Sequence, residues 1–237
     1  IAVYALLRCP QFSGIWSCRK VRGACVKEIA GFSVLTCLQQ SVMNLGILMV
    51  QGLVNSFGPA IMAAFAAAVK IDAFAYMPVQ DFGNAFSTFI AQNFGAKQKG
   101  RIREGLKVAV IAAVLFSTTV SAVVCIFARP LMELFIDRAE TEVIWEGVRY
   151  LRIEGVFYSG IGCLFLLYGL YRALGKPGMS VVLTAISLGT RVLLAYLLSA
   201  VPAFGVAGIW WAIPIGWFLA DAAGIAYYFK EREKILG

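Results

Sequence analysis

Histidine is absent from this 237-residue chain, which removes the commonest metal ligand and the side chain that ordinarily titrates near neutral pH. Charge is scarce too: 14% of residues are Asp, Glu, Lys or Arg, against roughly 25% in a soluble globular domain. The six cysteines, Cys9, Cys18, Cys25, Cys37, Cys125 and Cys163, form no CxxC pair. Neither a zinc site nor a redox motif is therefore expected, and half of them fall in or beside a segment read below as cytoplasmic, where disulfides are rare. No nucleophile elbow, phosphate loop or dinucleotide fingerprint occurs. These absences argue against an enzyme and against a resident metal or cofactor.

What the chain has instead is apolar length. Hydrophobic residues make up 60% of it and the mean hydropathy is +0.80. About 20 apolar residues span a hydrocarbon core, and six stretches qualify, near 29–57, 60–92, 104–127, 147–171, 179–201 and 206–229. The fold expected is an all-α integral membrane bundle of six transmembrane helices. Threaded alternately, these spans put all of the 21 Lys and Arg except Lys70, Arg129, Arg138, Arg149, Arg152 and Arg191 on one face. The positive-inside rule makes that face cytoplasmic, the C-terminus included. The net charge of +8 is read as a topology signal that also attracts anionic lipid headgroups, and nucleic acid is not an expected partner.

The chain divides accordingly. Residues 1–8, IAVYALLR, read as the end of a preceding transmembrane helix, and with Ile rather than Met at the start the chain is expected to be a piece of a longer protein. Residues 9–28 read as a cytoplasmic or interfacial loop, 29–229 as the six-helix lobe and 230–237 as a cytoplasmic tail. Between the third and fourth spans, residues 131–146 suggest a short helical connector on the outer face. The links SFGP (56–59), LGKPG (174–178) and VPAFG (201–205) are short, which makes successive spans antiparallel neighbours.

In lipid a polar side chain faces protein or water, so polar residues inside spans mark what the bundle encloses. Gln40, Asn44, Gln51 and Asn55 lie at offsets that fall within about 60° on a helix, a stripe expected to line a hydrated chamber. The second span carries Lys70, Asp72 and Asp81 around Pro78. Each charge costs on the order of 3 kcal/mol near mid-membrane, so three in one span point to function. Lys70 and Asp72 are about 200° apart and unsuited to pairing with one another. Glu154, Arg191 and Asp221 are single charges in later spans, with Arg191 a candidate partner for Glu154 or Asp221. Trp217, on one face with Trp210, Pro214 and Asp221, is a candidate cavity wall. The residues expected to line the chamber are Gln40, Asn44, Gln51, Lys70, Asp72, Asp81 and Glu154.

The run FGNAFSTFIAQNFGAKQKGRIREGLK (82–107), with SVMNLGILMVQGLVNSFG (41–58), YRALGKPG (171–178) and GVAGIWWAIPIGW (205–217), resembles the multidrug and toxic compound extrusion (MATE) transporters. The resemblance runs from about residue 29 to 229 and is to the C-terminal lobe of a twelve-helix protein whose two six-helix lobes are related by a pseudo-twofold axis. It implies a secondary antiporter that exports organic cations or drugs in exchange for H⁺ or Na⁺ by alternating access. Its implied partners are the lipid bilayer of the cell membrane, a missing N-terminal six-helix lobe and small amphipathic or cationic substrates. NorM-type members place cation-binding carboxylates of this lobe where this chain has Gln40 and the Ile161–Gly162 stretch. That departure makes the chain resemble DinF-type members more, in which the acid belongs to the other lobe. The rival readings are a lipid-linked glycan flippase of the same superfamily, which calls for a more cationic chamber than Lys70 and Arg191 supply, and a non-transporting membrane scaffold.

Overall fold

The computed structural model describes residues 23–236, so segment 1–8 and all of the expected loop before Gly23 lie outside the described residues. Within them every regular element is a helix: α1 Gly23–Asn55, α2 Pro59–Gly95, α3 Lys99–Ile126, α4 Ala128–Glu133, α5 Thr141–Gly155, α6 Tyr158–Ala173, α7 Pro177–Ser199 and α8 Val206–Leu236. Five of them, α1, α2, α3, α7 and α8, are individually long and apolar enough to cross a membrane. The α5–α6 pair, bent by 53° at its break, passes the same test taken together and gives a sixth when counted as one span.

Helices outrun the apolar stretches at several ends. The first begins at Gly23, inside the stretch read as loop 9–28, and α8 continues to Leu236 through the stretch read as a tail. Hydropathy falls where charges begin, but helical hydrogen bonding continues as long as the backbone permits. The fourth span differs more. It starts at Thr141 instead of 147, after the short α4, and breaks between Gly155 and Tyr158. There Phe157 N–H donates to the Glu154 carbonyl at 3.0 Å and Gly160 N–H to Phe157 at 2.9 Å, three-residue bonds that replace the regular helical pattern.

Turn chemistry sets the other connections. Gly58, at φ 103°, occupies a conformation that L side chains rarely adopt, and Pro59 then starts α2 with its φ already fixed. Gly175 (φ 72°) and Pro177 repeat the device before α7. At this end Lys176 Nζ donates to Glu231 Oε2 at 3.0 Å and to the Tyr227 hydroxyl at 3.3 Å. The bond to Glu231 holds the Lys176 pKa above the ordinary lysine value and ties the α6–α7 link to the end of α8.

The bundle is built in two sets. α2 packs against α3, α5 and α6, while α7 packs against α8 and α1, and α6 joins the sets through α8. The first helix leans mainly on α7 and only lightly on α2 despite the tight turn between them. Lipid offers apolar side chains no incentive to leave it, so close packing of small residues has to hold such helices together. A Cβ on Gly169 would lie 2.6 Å from the Gly83 carbonyl oxygen, which is how closely α6 approaches α2. Leu45, Leu48, Ile111, Leu115, Leu193 and Leu197 remain exposed on the periphery, as lipid-facing residues do.

Candidate functional site

Between the two sets lies a cavity of about 300 Å³ with walls from α1, α2, α5, α6, α7 and α8. Asp72, buried at 2% exposure, enters it from α2. The α5 helix contributes Tyr150 and Glu154, one turn apart, and the break after Gly155 is followed at once by Tyr158. The Tyr158 hydroxyl donates to Asp72 Oδ1. From α7, Arg191 brings Nη2 to 3.9 Å from Glu154 Oε1, and Asp72 and Glu154 lie within interaction range of one another. Asp72 Oδ2 and Glu154 Oε2 are buried without a hydrogen-bond partner among the described residues.

Two carboxylates therefore face one guanidinium in a buried, partly apolar part of the wall. With both acids ionised the cluster carries one excess negative charge, which low dielectric makes expensive. A proton, an alkali cation or a cationic ligand is what restores the balance. The rest of the wall suits an amphipathic guest: Met43, Ile47, Leu164, Phe165, Leu188 and Trp217 supply apolar surface. One end is closed by a cluster in which the Phe65 ring stacks on Trp210 at 5.4 Å and Tyr150 meets both edge-on at 5.5 and 4.9 Å.

Of the residues expected in the chamber, Gln40, Asn44, Asp72 and Glu154 line this cavity, as do Arg191 and Trp217. Gln51, Lys70 and Asp81 do not. On α2 the reason is helical phase: Lys70 is about 160° and Asp81 about 180° around the axis from Asp72, so the face that turns Asp72 inward leaves both exposed. The α1 stripe divides into two bonded pairs, Gln40 Nε2 to Asn44 Oδ1 at 3.5 Å and Gln51 Nε2 to Asn55 Oδ1 at 2.9 Å. Only the first pair reaches the cavity. Arg191 pairs with Glu154 and not with Asp221. Asp221 is buried beside Gly160, outside the cavity wall, with Oδ1 unpartnered among the described residues.

Sequence reasoning missed the tyrosines. Tyr150, Glu154 and Tyr158 recur at four-residue spacing, which was a usable signal for a shared face. It also missed Arg172, counted as a loop cation, which lines a second, smaller hollow that shares Gln40 and Gln80 with the cavity.

The MatE family model matches residues 33–197, more than half of the chain. The chain belongs to the MATE family. Members of this family are transporters and not enzymes. The chain is similar to the probable multidrug resistance protein YpnP of Bacillus subtilis, with 28% identity over 84% of this chain and 44% of that protein. It is also 28% identical to the FAD transporter of Shewanella oneidensis, over 72% of this chain and 37% of the relative. In structure it resembles a variant of the Vibrio cholerae MATE transporter VcmN with a TM-score of 0.88 and 24% identity, covering 100% of this chain and 53% of that one. The last likeness establishes the fold, that of one MATE lobe. The chain spans about half the length of the relatives it matches.

Proposed function

We propose that this chain is the C-terminal lobe of a secondary antiporter in the cell membrane that exports amphipathic or cationic drugs in exchange for H⁺ or Na⁺, with its basic face and C-terminus in the cytoplasm. The observation that carries the reading is the excess of acid over base in an amphipathic cavity: Asp72 and Glu154 against Arg191. A coupled exchanger needs a group whose affinity for ion and for substrate differs between its two conformations, because a ligand moves an equilibrium only through differential affinity. An acid pair with one counter-charge fulfils that requirement, since coupling ion and cationic substrate compete to neutralise the same charge. The bend at Gly155–Tyr158 supplies the joint: a shift of α6 relative to α5 separates Tyr158 from Asp72 while Glu154 stays beside Arg191. The name multidrug resistance protein attached to YpnP supports drugs as the cargo class.

The test is efflux of a fluorescent organic cation from vesicles bearing a full-length transporter that contains this lobe, under an imposed pH or Na⁺ gradient. Asp72→Asn and Glu154→Gln are expected to abolish gradient dependence, with the gradient that drives the wild type naming the coupling ion. Wild-type efflux by the Asp72→Asn/Glu154→Gln double variant would remove the pair from coupling and move the essential acid to the other lobe.

A further inference from the structure

We propose that the cavity ends in an anion subsite built on Arg172, which takes a phosphate or carboxylate group of an elongated amphiphile. The proposal rests on the transport reading above and narrows its substrate class. A second hollow of about 140 Å³ adjoins the first, with Gln40 and Gln80 in both walls, and its own wall adds Gln39, Asn84 and Arg172. Arg172 is half-buried in the last turn of α6. Its Nη2 donates to Asn84 Oδ1 at 2.9 Å and its Nε to the Tyr168 carbonyl at 3.3 Å. A guanidinium carries five N–H donors, so these two bonds orient it and leave about three to spend on a ligand.

No carboxylate among the described residues forms an ion pair with Arg172, whereas Arg191, the cation of the main cavity, is paired with Glu154. A half-buried, hydrogen-bonded and uncompensated guanidinium is a planar fork matched to a phosphate or carboxylate. Gln39, Gln40 and Gln80 add side-chain NH₂ donors around it without adding acid. The Asn84 oxygen is engaged by Arg172, so its amide NH₂ is the group left to face an anion. The two adjoining hollows thus have opposite polarity at their far ends. The twelve residues from Asp72 to Asn84 put those ends about 18 Å apart along α2. A guest that occupies both carries its anionic group well away from the part that neutralises the Asp72–Glu154 pair.

The purified 237-residue chain in neutral phosphatidylcholine nanodiscs allows the test, with binding of dodecyl phosphate, inorganic phosphate and dodecyltrimethylammonium followed by calorimetry. Dodecyl phosphate is expected to bind saturably, with at least about tenfold weaker affinity in Arg172→Gln, as loss of charge-assisted hydrogen bonds implies. Asn84→Asp, which keeps Arg172 and supplies an internal counter-ion, is expected to weaken it similarly, so the test survives if Arg172→Gln does not fold. Inorganic phosphate binding that Arg172→Gln removes supports the subsite with a free anion as occupant. Competition from phosphatidylglycerol added to the nanodisc supports it with a lipid headgroup. Dodecyltrimethylammonium affinity is expected to be unchanged in Arg172→Gln and lost in Glu154→Gln. If that cation fails to bind while dodecyl phosphate still binds through Arg172, the cation-export reading falls and the subsite stands. Absence of binding by both anionic probes, or equal dodecyl phosphate affinity in wild type, Arg172→Gln and Asn84→Asp, overturns the proposal.

Discussion

Among the described residues Arg191 is the sole cation in the wall of the main cavity, its side chain 15% exposed and within 3.9 Å of Glu154. Removing one partner of a buried ion pair strands the other, a loss of roughly 3 kcal/mol or more. Arg191→Met is therefore expected to lower the thermal unfolding midpoint of the purified protein markedly, because both acids lose their counter-charge. Glu154→Gln in the same background should recover part of the loss. Simple additivity of the two substitutions in a double-mutant cycle would show that the pair is not energetically coupled. At this scale the sequence was partly legible. A charge inside a span is conspicuous, and Asp72, Glu154 and Arg191 were found on that ground. Lys70 and Asp81 were equally conspicuous and lie on the opposite face of the same helix. Conspicuous charge says that a site is costly; only rotation about the axis says where it points. Tyr158 was harder to single out: only its four-residue spacing from Glu154 marked it, an aromatic residue in a span has many uses, and its hydrogen bond to Asp72 joins residues 86 positions apart.

The contact of α2 with α6 depends on two glycines, and lipid gives it little hydrophobic support. Gly169→Ala places a methyl group 2.6 Å from a backbone oxygen of Gly83, and backbone cannot swing aside as a side-chain tip does. A loss of about 1–3 kcal/mol is expected, the usual range for overpacking, read as a lower unfolding midpoint in detergent. Gly52→Ala on α1, where a Cβ meets nothing within 4 Å, is the control and should be neutral or slightly stabilising, since Ala is the better helix former. Equal destabilisation by both would mean that the α2–α6 approach is not what the first substitution perturbs. Helix existence was readable from apolar runs, because length and hydropathy decide it. The break at Gly155–Tyr158 was not, for no proline marks it and its two halves together read as one apolar run. Helix ends were also missed, at Gly23 and Thr141, where polar residues stay helical outside the apolar core.

Orientation and completeness belong to the whole molecule. The basic loop between α2 and α3 and the acidic-rich segment after α4 lie at opposite ends of α3. On a background without the native cysteines, Lys99→Cys is expected to react with a membrane-impermeant thiol reagent only after the membrane is opened, and Arg138→Cys in intact cells. The reverse pattern would invert the proposed topology. The larger question is what six spans can do. The cavity wall includes exposed residues of α1 and α2, Gln40, Asn44 and Met77, so the chamber opens at the side where these helices lean little on one another. Alternating access requires a second bundle against which the first can rock, closing the chamber on each side in turn. The chain covers 44% of YpnP, which is room for one such bundle. Reconstituted alone, it is therefore expected to bind dodecyltrimethylammonium through Glu154 and to produce no efflux under either a pH or a Na⁺ gradient. Gradient-driven efflux by the 237-residue chain alone would show that a second copy supplies the missing wall, and crosslinking between copies through Asn44→Cys would then locate it along α1.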